Sequence, residues 1–183
     1  MSKILVTRGT GRRVEMKNNK RILNIGNGND FSYGTDFIDM YPSSKRVKKC
    51  NVNNDRFPYK DNTFNEVYAK NIFEHLLNFD NFLSESYRVL KHGGCITIFT
   101  DNAGFWGIFG NVHHGNYEKN SIGGSNDKHY ELFTPTHLKN FLETYKFIDI
   151  KVIYKNSTEF KVDALGYLNK RLCPHVMAKG CKP

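Results

Sequence analysis

The stretch RILNIGNGNDF, residues 21–31, decides how the rest of the chain is read. A basic residue leads into an apolar run, the run stops at Gly26-Asn27-Gly28, and polar residues follow. A short apolar run bounded by glycine reads as a buried strand. Glycine tolerates positive φ and has no Cβ, so glycines at 26 and 28 let backbone amides face a polar or anionic group just past the strand. The motif alone is weak, and a plain tight turn also fits it. A dinucleotide fingerprint would need a third glycine at position 31, where Phe31 stands, and this counts against a nicotinamide cofactor.

Outward from that turn, strand and helix patterns alternate. TDFIDM, RVKKCNV and NEVYAK read as further short strands, and NFDNFLSESYRVLKHGG places Phe79, Phe82, Leu83, Tyr87 and Leu90 at helical spacing, closed by Gly93-Gly94. CITIFT is a strand. TPTHLKNFLETYKF opens a helix with Thr134 as N-cap and Pro135 at its first position. IDIKVIY and EFKVDALGYL read as two late strands paired antiparallel. The expected fold is a Rossmann-like, doubly wound α/β/α arrangement: a mostly parallel sheet with an antiparallel C-terminal hairpin. Ligands in such sheets bind at the carboxyl ends of the strands, so the informative residues should follow Ile25, Ile38, Val52, Ala69 and Phe99. Residues 1–183 read as a single domain, with residues 1–20 as an N-terminal extension and 101–133 as a lid-like insert.

Asp39 ends the second strand, where a carboxylate can accept from ribose hydroxyls or cap a turn before Pro42. From Arg21 to Asn102 the order GNGN, DFIDM, RFPYKDNTFNEV, FEHL, ESYRVLKHGG resembles the class I S-adenosylmethionine-dependent methyltransferases of the small methyltransferase domain 11 type. HYELFTPTHLKNFLETYKF resembles the segment that closes that fold. The resemblance implies S-adenosyl-L-methionine as cofactor, with Asn24, Gly26, Asn27 and Gly28 around its methionine part. Asp39 would hold the ribose, Met40 the adenine, Asn51, Val52 and Asn53 the adenine amine, and Lys70 and Asn71 the amino group. Asparagine at 51 and 53 departs from the usual acid, although an amide oxygen can still accept from an amine. The gap between Gly28 and Asp39 is too short for the full helix most relatives carry there, as in a subgroup that has only a short loop. Phe57, Phe64 and Phe73 read as core.

Methyl transfer from a sulfonium is an in-line displacement in which the protein mainly aligns donor and acceptor. A base is needed only where the acceptor holds its proton. His113 and His129 in the insert, and His75 in the EH pair, are the candidates, with packing or solvation as the competing role for each. The favoured function is a methyltransferase acting on a small molecule or saccharide. The alternatives are an RNA methyltransferase and a non-catalytic cofactor-binding partner subunit.

The net charge of +9, concentrated near both ends and in KRVKK at 45–49, suits either a polyanionic partner or simple solubility. Cys173, His175 and Cys181 supply three ligands at an unusual spacing, so no metal site is assigned. The cysteines are expected as free thiols in a reducing compartment, and the lack of a leader-like or membrane-spanning apolar run leads to the expectation of a cytoplasmic chain.

Overall fold

The computed structural model describes residues 20–105, 129–155 and 170–183. Seven strands form one sheet: β1 Ile22–Ile25, β2 Asp36–Asp39, β3 Val47–Lys49, β4 Phe64–Lys70, β5 Leu90–Asp101, β6 Ile148–Lys155 and β7 His175–Cys181. Their order is β3-β2-β1-β4-β5-β7-β6. Strands β1 to β5 pair in parallel, and β7 runs antiparallel to both β5 and β6. The chain builds outward from β1 to β3 and then returns to β1's other side with β4, which puts the switch in strand order at the end of β1.

The mostly parallel sheet with an antiparallel C-terminal hairpin is the architecture expected from the sequence. The hairpin partner differs: β6 pairs with HVMAKGC, and the strand expected over EFKVDALGYL lies outside the described residues. So do the N-terminal extension apart from Lys20, and residues 106–128 of the insert, which include His113.

Two helices follow the sequence signals. Helix α1, Phe79–Val89, is capped by the Asn78 side chain, which accepts from the Asn81 amide at 3.1 Å, and buries Phe82, Leu83, Ser86 and Val89. It stops before the expected Gly93-Gly94. Leu90 is already extended, and both glycines sit inside β5, where the pairing with β4 slips between Phe64 and Glu66. A Cβ on Gly94 would lie 3.0 Å from the Phe64 carbonyl oxygen, so this pair serves a bulge and not a helix stop. Helix α2, Pro135–Thr144, starts at Thr134, whose hydroxyl accepts from the His137 amide at 3.3 Å.

The two helices pack together. Phe79 and Phe141 have ring centroids 5.1 Å apart, and the Tyr145 hydroxyl donates to Asp80 at 2.8 Å. Among the described residues no helix covers the opposite face. There Glu66 accepts from the Tyr33 hydroxyl at 2.9 Å, from Thr97 at 3.2 Å and from Lys20 at 2.5 Å. The Gly28–Asp39 gap is a loop without a helix, as its length requires. Phe57, Phe64 and Phe73 are fully buried core residues.

Cys95 and Cys181 form a disulfide, which corrects the expectation of four free thiols. They are 86 residues apart in sequence, and antiparallel pairing of β5 with β7 sets them directly opposite each other. Cys50 and Cys173 are buried and stand outside that bond. No helix among the described residues is long and apolar enough to cross a membrane.

Candidate functional site

The carboxyl ends of β1, β2 and β4 open onto one cavity of about 810 Å³. Gly26, Asp39, Met40, Asn51, Val52, Asn53, Asn71 and His75 all line it, and all were expected at a site from the sequence. Gly26 has φ +68° and donates its amide to the Ile38 carbonyl at 2.9 Å. A Cβ there would come within 2.6 Å of the Ile72 Cδ1, so the glycine lets β1's turn close against Ile72, itself a wall of the cavity. Gly28 has φ +53° and open space where a Cβ would stand, so its constraint is conformational.

Asp39 is held ready. Its Oδ1 accepts from the Tyr41 amide at 2.8 Å and its Oδ2 from the Gly28 amide at 3.3 Å. Each oxygen keeps acceptor capacity toward the cavity. Asn27 is buried, and its Oδ1 has no hydrogen-bond partner among the described residues. A buried orphan acceptor beside a glycine turn is costly unless something fills it.

The floor is set by α1 and the 51–55 turn. Asp55 accepts from the Asn51 amide at 2.7 Å, and the Asn81 side chain donates to the Val52 and Asp55 carbonyls at 2.9 and 3.0 Å. Both lone pairs of the Asn53 Oδ1 are taken by the amides of Leu77 and Asn78, at 2.8 and 3.0 Å. Asn53 is therefore a wall and a cap, not the expected amine acceptor. The Asn51 Oδ1 accepts from the Asn53 amide at 3.1 Å and has one further acceptor position. Asn71 takes φ +52°, a conformation that asparagine tolerates, while its amide donates to the Phe99 carbonyl at 2.9 Å.

Four residues expected around the cofactor, Asn24, Asn27, Gly28 and Lys70, do not line the cavity. Asn24 is buried in β1 and donates to the Tyr33 carbonyl at 2.7 Å, which anchors the loop that replaces a helix. Lys70 sits beyond the edge with its ammonium 5.7 Å from the Phe99 ring centre. Gly28 reaches the site only through its bond to Asp39.

At the far end of the cavity, past His75 and Tyr130, the chain places a cluster of ionisable groups. His75 and His129 meet edge to face, 4.5 Å between ring centres. Asp101 lies 3.4 Å from the His129 Nδ1 through Oδ2 and 3.2 Å from the His175 Nδ1 through Oδ1. Glu74 is fully buried and accepts from the Thr100 hydroxyl at 2.7 Å. Burial raises the Glu74 carboxyl well above the usual range. The Thr100 bond opposes this, the Asp101 charge adds to it, and His129 offsets it. Burial likewise pushes the Cys50 thiol up to about 11, helped by Asp55 and Glu85, so it lines the cavity as a neutral group. Asp101, Glu74, Ile72 and Tyr130 were not singled out from the sequence as site residues. Asp101 could have been, since it closes the strand containing Phe99 at the edge where ligands bind.

Residues 33–98 match the family described as "Methyltransferase domain". No curated protein matches the chain in sequence. Among solved structures, the chain is similar to an S-adenosylmethionine-dependent methyltransferase from Archaeoglobus fulgidus, with a TM-score of 0.64, 18% identity, and coverage of 89% of this chain and 86% of that one. A methyltransferase from Thermotoga maritima gives 0.63 and 19% over 92% and 84%. Phosphoethanolamine N-methyltransferase 2 from Haemonchus contortus, in complex with S-adenosyl-L-methionine, gives 0.60 and 18%; the match spans 92% of this chain and 50% of that one.

Proposed function

We propose that this chain, which carries a methyltransferase domain on the class I S-adenosylmethionine-dependent methyltransferase fold, binds S-adenosyl-L-methionine at the Gly26–Asp39 end of the cavity and methylates a small molecule or saccharide. The observation that carries this reading is the continuity of one cavity from Gly26 and Asp39 to His75 and Tyr130. A donor held at the first end would face an acceptor at the second.

The residues present fit that cofactor. Asp39 is oriented to accept from a ribose, and Met40 and Val52 give apolar contact for a flat base. When bound, the cofactor supplies an electrophilic methyl group and a neutral thioether leaving group. The chain's own contribution is alignment and exclusion of water. His75 and His129 stand together at the acceptor end, with Asp101 orienting the His129 ring.

The basic charge that raised an RNA acceptor is partly engaged in packing. The Lys182 ammonium is buried against Asn62, the Tyr87 carbonyl and the Leu90 carbonyl at 2.9–3.0 Å, and Arg46 and Lys48 lie over aromatic rings. The test is transfer from methyl-labelled cofactor to a panel of hydroxylated small molecules, saccharides and RNA. Label is expected in a small or saccharide acceptor and to fall at least about tenfold in His129→Ala. Label only in RNA would overturn the acceptor class. Tight cofactor binding with no label in any acceptor would favour a non-catalytic subunit.

A further inference from the structure

We infer that Glu74, His75 and His129 form a binding site for a divalent first-row transition metal ion at the acceptor end of the cavity. One ligand-type atom from each of the three residues lies within 4.8 Å of those of the other two. Two imidazoles and one carboxylate, with further positions open, is the donor set that holds zinc and its neighbours in sites that bind substrate.

The cluster is built rather than incidental. Glu74 and His75 come from the 3-10 turn Phe73–His75 that follows β4. His129 comes from the far side of the insert, and the Tyr130 amide donates to the Glu74 carbonyl at 2.9 Å, which ties the two segments together at the site. Beyond it, the Ala103 amide donates to the Phe133 carbonyl at 2.9 Å, and Asn102 bridges Phe133.

Asp101 supplies the second layer that metal-bound histidines usually have. A carboxylate 3.4 Å from the His129 Nδ1 favours the proton on that nitrogen and leaves Nε2 as the donor atom. The Thr100 hydroxyl fixes the Glu74 Oε2 in the same way. Glu74 and Asp101 are 1% and 6% exposed, so both the ligand and the group behind it are held in the interior.

Open positions on such an ion take oxygen donors, so the acceptor it suits carries a hydroxyl or carboxylate. That role rests on the proposed methyl transfer, whereas the metal site does not. Sequence reading assigned no metal here because His129 enters the cluster from a segment distant in sequence.

The test is a titration of the metal-stripped full chain with Co²⁺, without S-adenosylmethionine, followed by its ligand-field absorption. One equivalent is expected to bind, with about tenfold or greater loss of affinity in both His75→Ala and His129→Ala. Asp101→Asn should weaken binding by about tenfold while leaving the ligands in place. Thermal melts of each variant check folding, and Glu74→Gln gives a third, isosteric change. Absence of ligand-field bands, or affinity unchanged in both histidine variants, would overturn the site. Co²⁺ binding can fail while calorimetry still detects S-adenosylmethionine, so the two proposals fall separately.

Discussion

Gly26 shows how one residue ties backbone conformation to the site. Its φ of +68° belongs to the left-handed region, where any side chain costs about 1–2 kcal/mol. The Ile72 side chain occupies the place of a Cβ, at 2.6 Å for Cδ1 and 2.8 Å for Cγ1, and a β-branched residue has little freedom to move away. Gly26→Ala is therefore expected to lower stability by about 1–3 kcal/mol and to weaken cofactor binding. Chemical denaturation and calorimetry on the same preparation check both. Unchanged values would mean that the turn is plain and the glycine incidental. The sequence alone signals the glycine, because only a turn or a close approach needs two glycines directly after a strand. It does not signal Ile72, which meets the turn only through the pairing of β1 with β4. Asn53 has the converse lesson. An asparagine in the right turn looked like a ligand for the adenine amine, yet both acceptor positions of its oxygen serve Leu77 and Asn78.

At the scale of elements, β1 and β2 lack the connecting helix and hold together by other means. The Arg21 guanidinium forks onto Asp36 at 2.9 and 2.7 Å and lies over the Phe64 ring at 5.0 Å. The Arg21 hydrogen bonds hold the Asp36 carboxyl below its usual range, against the opposing effect of burial. A folded value below the unfolded one means that this stabilisation is complete above about pH 4, and it is lost as pH falls through the folded value. Asp36→Asn should thus be less stable than the parent by about 0.2–1 kcal/mol at neutral pH, with the difference closing on acidification. Melting temperatures at pH 7 and below pH 3 measure it; a constant difference would contradict the account. Element existence was legible in the periodicity of α1, in the Thr134-Pro135 start of α2 and in the apolar strands. The end of α1 was not, because Gly93-Gly94 reads alike as a helix stop and as a bulge, and only the β4 pairing decides. The last strand was not legible for a similar reason: HVMAKGC carries no clear strand signal of its own, and only its partners on β5 and β6 define it.

Across the whole molecule, the sheet brings distant segments to one edge and one cross-link. The Cys95–Cys181 bond joins β5 to β7 and closes a long loop that contains α2 and β6. Titration of the denatured, unreduced chain should find the two thiols of Cys50 and Cys173, rising to four after reduction. Replacing both linked cysteines by serine should cost about 2–4 kcal/mol. Four thiols without reduction would contradict the cross-link. The same folding logic explains what was legible of the site. Residues that line the cavity from the ends of β1, β2 and β4 follow strands directly and could be named from the sequence. Asp101 and His129 could be brought together only by the fold, and the segment carrying His113 lies outside the described residues.

The proposed methyl transfer requires the Gly26–Asp39 end of the cavity to hold a sulfonium nucleoside. Isothermal titration of the parent chain and of Asp39→Ala with S-adenosyl-L-methionine tests that most directly. One molecule is expected to bind per parent chain, with at least about tenfold weaker binding in the variant, since a hydrogen bond to a charged group contributes about 1.5–3 kcal/mol. A folded parent chain that gives no binding heat, or a variant that binds as tightly as the parent, would contradict it.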